Sequence, residues 1–274
     1  MAEISASIVT YHNSPEMVAH LIRRFRGGGE ERKLYVVDNS SNDALRTVAE
    51  EAGAEYHFTG KNVGFGTAHN IAIRKALHSS KYHLVLNPDV DFDDDVIPTL
   101  QQFMDENPQV GLVMPKVVYP DGGDQNLCKR LPTPFDVFAR RFIPGTVKKM
   151  LKRRIDSYVC KDVDLTHVTF IPYISGCFMF LRCESLLRSG LFDERFFMYF
   201  EDTDLTRRIA REYETVMCPF VLVRHDHGQG SYRDIRLLWV HIIAGFRYFT
   251  KYGWIWDAER KEMNSRIIKP LIIK

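Results

Sequence analysis

Residues 83–91 have the sequence HLVLNPDVD, and this stretch decides the fold class. The run His83–Leu86 predicts a buried strand, because a short apolar run bounded by turn residues is typical of a sheet interior. Asn87, Asp89 and Asp91 follow at alternate positions. Side chains two residues apart in an extended segment point the same way, so these three are predicted to face one ligand at the end of the strand.

Strand-like and helix-like segments alternate on both sides of this stretch. The predicted strands are Ile8–Tyr11, Leu34–Val37, Glu55–Phe58, His83–Leu86, Val110–Val118, Ile174–Leu181 and one or two within Val216–Val223. The predicted helices are Pro15–Arg26, one ending near Ala52, Gly66–Leu77, Val96–Glu106, Asp202–Glu212 and Asp234–Tyr252. The alternation predicts an α/β fold with a mostly parallel central sheet flanked by helices, in a Rossmann-like arrangement. Ligands of such sheets bind beyond the carboxyl ends of the strands.

The composition is that of an ordinary soluble protein. Of 274 residues, 45% are hydrophobic and 26% are charged, which excludes disordered and low-complexity classes. A chain of this length forms a core without disulfides or a structural metal. The five cysteines are odd in number and form no C-x-x-C pair, so we expect reduced thiols in a cytosolic protein. No apolar run approaches ~18 residues, and we expect neither a transmembrane helix nor a signal peptide.

Charge is distributed unevenly along the chain. The formal net charge is +2, but residues 129–154 hold nine basic residues against one acid, and residues 233–274 hold nine against four. Two basic stretches on an acidic body indicate an anionic partner at one surface, and solvated helix faces are the simpler alternative. Periodicity is lost over 120–170. We therefore expect a catalytic domain over 1–231 with a basic, irregular insertion at 120–170, and an amphipathic helical extension over 232–274.

Acidic side chains lie in an aromatic setting in residues 197–204, FMYFEDTD. Aromatic neighbours desolvate a carboxylate and raise its pKa toward that of a useful general base. Glu201, Asp202 and Asp204 are therefore candidates for acid–base chemistry, although Asp202 or Asp204 would equally cap the following helix. His225 and His227 follow a strand beside glycines and are candidate ligands of a metal or a diphosphate.

Two further segments favour a nucleotide. Asp38 ends a strand, and its carboxylate can accept the imide N–H of a uracil or thymine base; capping of the next helix is the alternative. Residues 61–66, KNVGFG, precede a helix, and their glycines let the backbone approach a phosphate, although a simple loop has the same pattern. Asp89 offers carboxylate oxygens that suit Mg²⁺ or Mn²⁺, which a nucleotide diphosphate would also hold.

The order of these segments resembles that of the family-two inverting glycosyltransferases with the GT-A fold. Within that family it is most similar to bacterial rhamnosyltransferases of polysaccharide assembly, and the resemblance covers about residues 4–231. The segments that carry it are IVTY (8–11), VVDNSS (36–41), NVGFG (62–66) with Asn70, LNPD (86–89), SGC (175–177), FDERFF (192–197) and EDTDL (201–205).

The resemblance implies a role for each matched position. Asp202 would be the catalytic base, with Gly176 and Glu201 on the acceptor side. Nucleotide and donor binding would fall to Thr10, Tyr11, Asp38, Asn39, Asn62, Gly64, Gly66 and Asn87. A Mg²⁺ or Mn²⁺ cofactor would be held by Asp89, with contributions from Asp91 and from His225 or His227. Asn87 stands where the family has the first aspartate of its Asp-x-Asp motif, which makes that position a poorer metal ligand.

The implied reaction is a single in-line displacement, in which the base removes a proton from an acceptor hydroxyl. The implied donor is dTDP-β-L-rhamnose, and the implied acceptor is a polyprenol-diphosphate-linked saccharide in bacterial cell-envelope polysaccharide biosynthesis. A UDP-hexose donor and a catalytically inactive nucleotide-sugar-binding or membrane scaffold are the alternatives. No nucleic-acid partner is implied, and a homodimer is left open.

The predicted C-terminal helix favours contact with a membrane surface. At about 100° per residue, four cations fall within an arc of about 60°: Arg233, Arg236, Arg247 and Lys251. Much of the remaining surface is apolar or aromatic, and Trp254 and Trp256 follow. We therefore expect a cytoplasmic, peripheral protein whose cations face anionic lipid on the inner face of the cytoplasmic membrane. A helix docked on the catalytic domain, or a dimer contact, is the alternative.

Overall fold

The computed structural model of the protein describes residues 3–27, 32–139, 149–226 and 234–267, and the structural statements below concern those residues. The strands are β1 (Ile4–Thr10), β2 (Lys33–Asp38), β3 (Glu55–Phe58), β4 (Tyr82–Leu86), β5 (Val90–Phe92), β6 (Val110–Val118), β7 (Thr169–Phe170), β8 (Phe178–Arg182) and β9 (Glu214–His225). The helices are α1 (Pro15–Arg26), α2 (Arg46–Glu51), α3 (Phe65–Ala76), α4 (Val96–Glu106), α5 (Lys152–Tyr158), α6 (Cys183–Ser189), α7 (Glu201–Ile209), α8 (Ile235–Tyr252) and α9 (Ala258–Arg266). A π-helical turn spans Phe135–Ala139.

The strands of the described residues form one sheet, in the order β3-β2-β1-β4-β8-β6-β9-β5, with β7 beside β9. The half that contains β1 to β4 is parallel throughout. Three strands run against the rest, since β8 is antiparallel to β4 and β6, and β5 and β7 are antiparallel to β9. Strands β4 and β8 are buried at every position, as apolar runs in a sheet covered on both faces require. The mostly parallel sheet flanked by helices is therefore confirmed.

The register of the strands brings polar segments together beyond the carboxyl end of β4. Leu86 at the end of β4 pairs with Phe178 at the start of β8. The residues just beyond therefore meet, and the Asn87 N–H donates to the Cys177 carbonyl at 2.9 Å. The end of β9 reaches the same place, because His225 pairs with the first residue of β5.

Three elements differ from the sequence prediction. The strand expected over Ile174–Leu181 begins only at Phe178, because Gly176 turns its N–H toward a carboxylate instead of a neighbouring strand. The one or two short strands expected near residue 220 are a single strand of 12 residues. Helix α9 was not predicted, because Met263 is its single buried apolar residue and the helix therefore has no apolar periodicity in its sequence.

The C-terminal helices pack against α7 through a buried ion-pair network. The Arg207 guanidinium is 1% exposed and donates to the two carboxylate oxygens of Asp257 at 2.8 and 2.6 Å and to Glu259 at 2.8 Å. It also lies 3.9 Å from the centroid of the Tyr252 ring. An apolar cluster joins α8 to the segment before α7, and its members are Val137, Phe196, Phe200, Ala244, Tyr248 and Phe249.

This packing corrects part of the prediction for the cations of α8. Lys251 donates to the buried carboxylate of Asp204 at 2.5 Å, and Arg247 donates to a backbone carbonyl of the segment before α7. The Lys251 ammonium is therefore directed toward the body of the protein and not toward lipid, whereas Arg247 remains exposed. Lys251 turns inward because a buried carboxylate is stable only when it is paired. Arg236 is exposed, and Arg233 lies outside the described residues.

Two global expectations can be compared with the structure. All five cysteines are buried, and none of them forms a disulfide. Within the described ranges, no helix has both the length and the apolar character that crossing a bilayer requires.

Candidate active site

One half of the candidate site lies where β9, β5 and the segment after β6 meet. The Nε2 of His225 lies 3.3 Å from the Oδ1 of Asp89. Its Nδ1 lies 3.0 Å from the Oε1 of Gln125, whose Nε2 donates to the backbone carbonyl of His225. Because a carbonyl only accepts, the Gln125 amide must turn its nitrogen to that carbonyl and its oxygen to Nδ1. Nδ1 therefore carries a proton, and Nε2 is the nitrogen directed at Asp89.

The pair of His225 and Asp89 has the donor atoms that a divalent cation requires. Burial lowers the pKa of His225, but the Asp89 carboxylate and the Cys177 thiol outweigh burial and raise this pKa to about 10. Release of that proton leaves a lone pair on Nε2 beside the buried Oδ1 of Asp89. One imidazole nitrogen and one carboxylate oxygen suit Mn²⁺ or Mg²⁺.

The protein supplies few ligands to such a cation. Across residues 3–267, outside the gaps in the described ranges, no group of three or more His, Cys, Asp or Glu side chains is arranged to hold a metal. The residues present therefore fit a cation that takes most of its ligands from a substrate and from water, as Mg²⁺ does when it binds nucleotide phosphates.

Asp91 does not join this pair. Its carboxylate accepts hydrogen bonds from His20 at 2.9 Å and from Arg24 at 3.0 Å, both on α1. Burial raises the pKa of Asp91, but these two side chains outweigh it and lower the pKa. The alternation predicted from the sequence is interrupted because the residues before β5 form a turn that is closed on the Asn87 carbonyl. The other predicted ligand, His227, lies outside the described residues.

The other half of the site is the N-terminus of α7. Tyr199 and Phe200 have left-handed backbone, with φ of +69° and +67°. This conformation costs non-glycine residues about 1–2 kcal/mol each, and it persists only where the surroundings enforce it. The partly exposed carboxylate of Asp202 accepts the Gly176 N–H on Oδ2 at 3.0 Å and the Thr203 N–H on Oδ1 at 2.6 Å. Both oxygens of Asp202 are thus fixed in direction.

Glu201 and Asp202 form a coupled acid pair. Burial raises the pKa of Glu201 well above its usual range, and the adjacent Asp202 raises it further. Burial also raises the pKa of Asp202, against the hydrogen bonds from Gly176 and Thr203 and the charge of Lys129, which lower it. The Oε2 of Glu201 receives no hydrogen bond from the described residues, whereas both oxygens of Asp202 accept backbone N–H groups, so the surroundings favour the charged form at Asp202 over that at Glu201. Asp202 is then ionised and able to accept a proton from a hydroxyl.

Small residues fasten the acid-bearing segment to α3. Gly64 has φ +92°, and a Cβ there would lie 2.4 Å from the Phe197 carbonyl oxygen. A Cβ on Gly66 would lie 2.8 Å from the Cβ of Phe192. The Asn70 side chain donates to the Phe192 carbonyl at 2.9 Å and accepts its N–H at 3.1 Å. The glycines that the sequence analysis placed near the nucleotide are thus also required for packing against the acid-bearing segment.

The residues predicted to line the nucleobase pocket differ in exposure. Tyr11 is 55% exposed, whereas Thr10 is buried and its Oγ1 makes no hydrogen bond within the described residues. Asp38 is completely buried. Its Oδ2 accepts the Tyr56 hydroxyl at 2.7 Å, and its Oδ1 accepts the Ser40 N–H at 3.0 Å. Asp38 therefore fixes the position of the Tyr56 side chain. Among Thr10, Tyr11 and Asp38, Tyr11 is the one whose side chain reaches solvent.

The remaining predicted donor-side residues organise the glycine loop. Asn39 donates to Oδ1 of Asn62 at 3.4 Å and to the Gly64 carbonyl at 3.3 Å. The same Oδ1 of Asn62 accepts the Gly64 N–H at 2.9 Å. These bonds join the end of β2 to the start of α3, so the loop is fixed from both sides.

Comparison with known proteins decides the family. The sequence profile described as Glycosyl transferase family 2 matches residues 7–190. The chain belongs to glycosyl transferase family 2. Asp89 and Gly176 lie within the matched residues of this family-two chain, and Asp202 and His225 lie beyond them.

Three relatives of this glycosyltransferase are similar over most of its length. Rhamnosyltransferase WbbL of Escherichia coli (strain K12) is 24% identical over 259 residues, which are 89% of this chain and 92% of that protein. N-acetylglucosaminyl-diphospho-decaprenol L-rhamnosyltransferase of Mycobacterium tuberculosis (strain ATCC 25618 / H37Rv) is 24% identical over 240 residues, 82% of this chain and 76% of that protein. The low-salt glycan biosynthesis hexosyltransferase Agl10 of Haloferax volcanii is 28% identical over 217 residues; that match covers 77% of this chain but spans only 62% of the relative's length.

A solved structure shows that the fold is GT-A. The mannosyltransferase PcManGT from Pyrobaculum calidifontis, in complex with GDP-Man and Mn²⁺, aligns with a TM-score of 0.61 at 16% identity. The alignment covers 97% of this chain and 68% of that chain. The GT-A fold that the motif order implied is confirmed.

Sequence reasoning missed residues that shape the site of this glycosyltransferase. Gln125 orients His225 from within the irregular insertion, where no pattern distinguishes it. Lys129 lies 5.0 Å from the centroid of the Tyr173 ring, and its charge lowers the pKa of Asp202. Lys129 is the first cation of the basic stretch, so the available signal was assigned to a partner surface and not to the site.

Proposed function

We propose that the protein transfers L-rhamnose from dTDP-β-L-rhamnose to a hydroxyl of a lipid-linked saccharide, with inversion at the anomeric carbon. The observation that carries this proposal is Asp202. Its carboxylate is partly exposed, has both oxygens fixed by backbone N–H groups, and stands beside the buried Glu201, whose pKa is raised well above its usual range. Such a group suits a general base, because it combines fixed direction with a raised pKa.

The proposed chemistry is a single displacement. Asp202 takes the proton of the acceptor hydroxyl as its oxygen attacks the anomeric carbon from the face opposite the nucleotide. A bond forms between the acceptor oxygen and the anomeric carbon, the bond from that carbon to the diphosphate oxygen breaks, and dTDP leaves. No enzyme nucleophile takes part, so the configuration at the anomeric carbon inverts.

Asp89 and His225 would hold Mg²⁺ or Mn²⁺ together with the diphosphate of the donor. The cation would offset the charge of the departing diphosphate. Gln125 keeps Nε2 of His225 directed at the site, because the other ring nitrogen is occupied by the Gln125 amide oxygen. We place Tyr11 against the nucleobase, and we place the glycine loop 62–66 near the nucleotide.

The choice of donor and acceptor is supported by the relatives. Two of them are rhamnosyltransferases that align over 240 and 259 residues, and one of these acts on a decaprenol-diphosphate-linked sugar by name. The Agl10 hexosyltransferase keeps a UDP-hexose donor as the second candidate, although its match spans a smaller part of that relative. A lipid-linked acceptor places the work of the enzyme at the cytoplasmic face of a membrane.

A donor panel tests the proposal. The purified protein is incubated with Mn²⁺, a polyprenol-diphosphate-linked N-acetylhexosamine and one donor, which is either dTDP-rhamnose or one of several UDP-hexoses. The mass of each product is measured by mass spectrometry. We expect a deoxyhexose added to the acceptor from dTDP-rhamnose alone. A hexose added from a UDP donor would replace the rhamnose assignment, and nucleotide release without a glycosylated product from any donor would refute transfer.

A further inference from the structure

Among the described residues, helix α8 exposes a row of large apolar side chains to solvent. Ile235, Trp239, Ile243 and Phe246 are 67%, 60%, 49% and 52% exposed, and at about 100° per residue they fall within an arc of about 80°. Beyond the helix, Ile255 and Trp256 are 78% and 90% exposed. We call these six residues the α8 ridge. Large apolar side chains occur singly on ordinary surfaces, whereas a contiguous group marks an interaction site.

The opposite face of α8 is committed to the catalytic machinery. Tyr248 and Phe249 are completely buried and pack on Phe200, with ring centroids 5.3 and 6.5 Å apart. Phe200 directly precedes the acid pair of α7. One helix, about 10–12 Å in diameter, therefore lies between the α8 ridge and the segment that carries Asp202.

A basic surface adjoins the α8 ridge through direct contacts. The Phe246 ring lies 5.4 Å from Phe138 of the π-helical turn, measured between centroids. In the same turn, the Phe135 ring is covered by the Arg154 guanidinium at 4.0 Å. Arg154 belongs to a run of exposed cations at and just before the start of α5, whose members are Lys149, Lys152, Arg153 and Arg154. Within this run Lys152 pairs with Asp156 and Arg154 lies 3.9 Å from Asp136, so Lys149 and Arg153 carry most of its excess positive charge. The apolar ridge is thus bordered by positive charge on the side of the insertion.

We propose that the α8 ridge inserts into the interfacial layer of an anionic lipid membrane while the α5 cations contact its head groups. Tryptophan favours the boundary between water and acyl chains, and cations beside an apolar helix face favour anionic lipid. A second copy of the chain fits less well. It would bring the same positive charge beside the same apolar face, whereas the α5 cations favour a negatively charged partner.

This inference rests on the proposed function and deepens it, because it places the segment that carries Asp202 one helix diameter from the membrane surface that holds a lipid-linked acceptor. It also changes the mode of binding expected from the sequence. The sequence analysis placed four cations of α8 against lipid, but one of them, Lys251, is bonded to Asp204. In the proposed mode of binding, the apolar side chains of the α8 ridge insert into the membrane and the cations of α5 contact the lipid head groups.

Vesicle flotation without donor or acceptor tests the inference, so its failure leaves the sugar-transfer proposal untouched. The wild-type protein should float with phosphatidylglycerol–phosphatidylethanolamine vesicles and remain unbound with phosphatidylcholine alone. The ridge variant Trp239→Gln/Ile243→Gln should bind at least about tenfold more weakly. The charge variant Lys149→Gln/Arg153→Gln should bind several-fold more weakly and with a smaller dependence on salt.

Matched controls separate this effect from misfolding. Phe220 is an aromatic residue 66% exposed on β9, away from the ridge, and Phe220→Gln should bind as the wild type does. All variants should melt within a few degrees of the wild type, and Trp256→Gln gives a second ridge variant at a nearly fully exposed position. Unchanged vesicle binding by both ridge variants would overturn the inference. So would a wild type that does not float but forms a dimer in sedimentation that Trp239→Gln/Ile243→Gln abolishes.

Discussion

Substitution of Asp202 by asparagine removes the proposed base and keeps the shape of the side chain. The amide oxygen can still accept the Thr203 N–H, at 2.6 Å in the wild type, but the amide nitrogen then faces the Gly176 N–H, at 3.0 Å. Since the amide nitrogen and the Gly176 N–H are both donors, the hydrogen bond to Gly176 is lost, which costs about 1–3 kcal/mol of folding free energy. For a chain of this size the melting temperature should fall by about 2–4 °C for each kcal/mol. Loss of the charge beside Glu201 offsets part of this cost.

The effect of Asp202→Asn on catalysis should be much larger than its effect on stability. A positioned base contributes about 10²–10⁴-fold, or about 3–5 kcal/mol of barrier. We expect turnover to fall by that factor at saturating donor, with dTDP affinity by calorimetry within about threefold of the wild type. Asp204→Asn is the matched control, because Asp204 is completely buried and is bonded to Arg208 and Tyr252. That variant should lose stability and keep turnover per folded molecule. A folded Asp202→Asn protein with more than about a tenth of wild-type turnover would refute the assignment.

Three further predictions concern the metal pair, the acid pair and the docked C-terminus. Asp89→Asn should abolish the Mn²⁺ dependence of dTDP binding in calorimetry, and Gln125→Leu should weaken Mn²⁺ binding about 10–100-fold, since a partner that orients a ligand is worth that much. This metal affinity should rise with pH, because His225, with its pKa raised to about 10, must lose a proton to bind. Turnover should fall as the pH drops through the raised pKa of Asp202, since the base must be ionised. The charge of Lys129 lowers that pKa, so Lys129→Met should move this fall in turnover, the acidic limb of the pH profile, to higher pH. Asp257→Ala should cost about 3–5 kcal/mol in urea unfolding, because it leaves the buried Arg207 short of its main partner.

Each of these predictions has a contrary result. Equal dTDP affinity in EDTA and in Mn²⁺ would remove the metal from the proposal. An acidic limb at the same pH in Lys129→Met and wild type would show that Lys129 does not tune the base. Unfolding of Asp257→Ala at the wild-type urea concentration would show that the Arg207 network contributes little to docking of α8 and α9.

The elements that the sequence predicts best are those with strong local signals. Helix α4 and strand β6 have the predicted bounds, because an amphipathic period and an apolar run, respectively, end at polar turns. Strand β5 and helix α9 were not predicted. β5 has only three residues and exists because β9 pairs with it, and α9 is held by its Asp257 cap and its bonds to α7. Long-range contacts decide these elements, and a local pattern does not contain them.

The candidate site shows the same division. The aromatic segment predicted a desolvated acid, and Glu201 is buried, whereas the choice of Asp202 as the base came from the family resemblance and stays a prediction. Asp91 was predicted to face the same ligand as Asp89 because side chains alternate along a strand. The turn before β5 interrupts this alternation, and Asp91 bonds to α1 instead. Lys251 was assigned to lipid from a helical projection, but that projection does not contain the buried carboxylate of Asp204, which arrives from another helix. Side-chain direction therefore follows from the sequence only where the local backbone is regular and no buried charge competes.

The anomeric configuration of the product tests the central claim most directly. A single displacement assisted by Asp202 requires that the new linkage have the configuration opposite to that of the donor. From dTDP-β-L-rhamnose, NMR of the product formed in the first turnovers should show an α-L-rhamnoside. A β-L-rhamnoside would contradict the account, because retention requires a nucleophile or an ion-pair mechanism in place of the base assigned to Asp202.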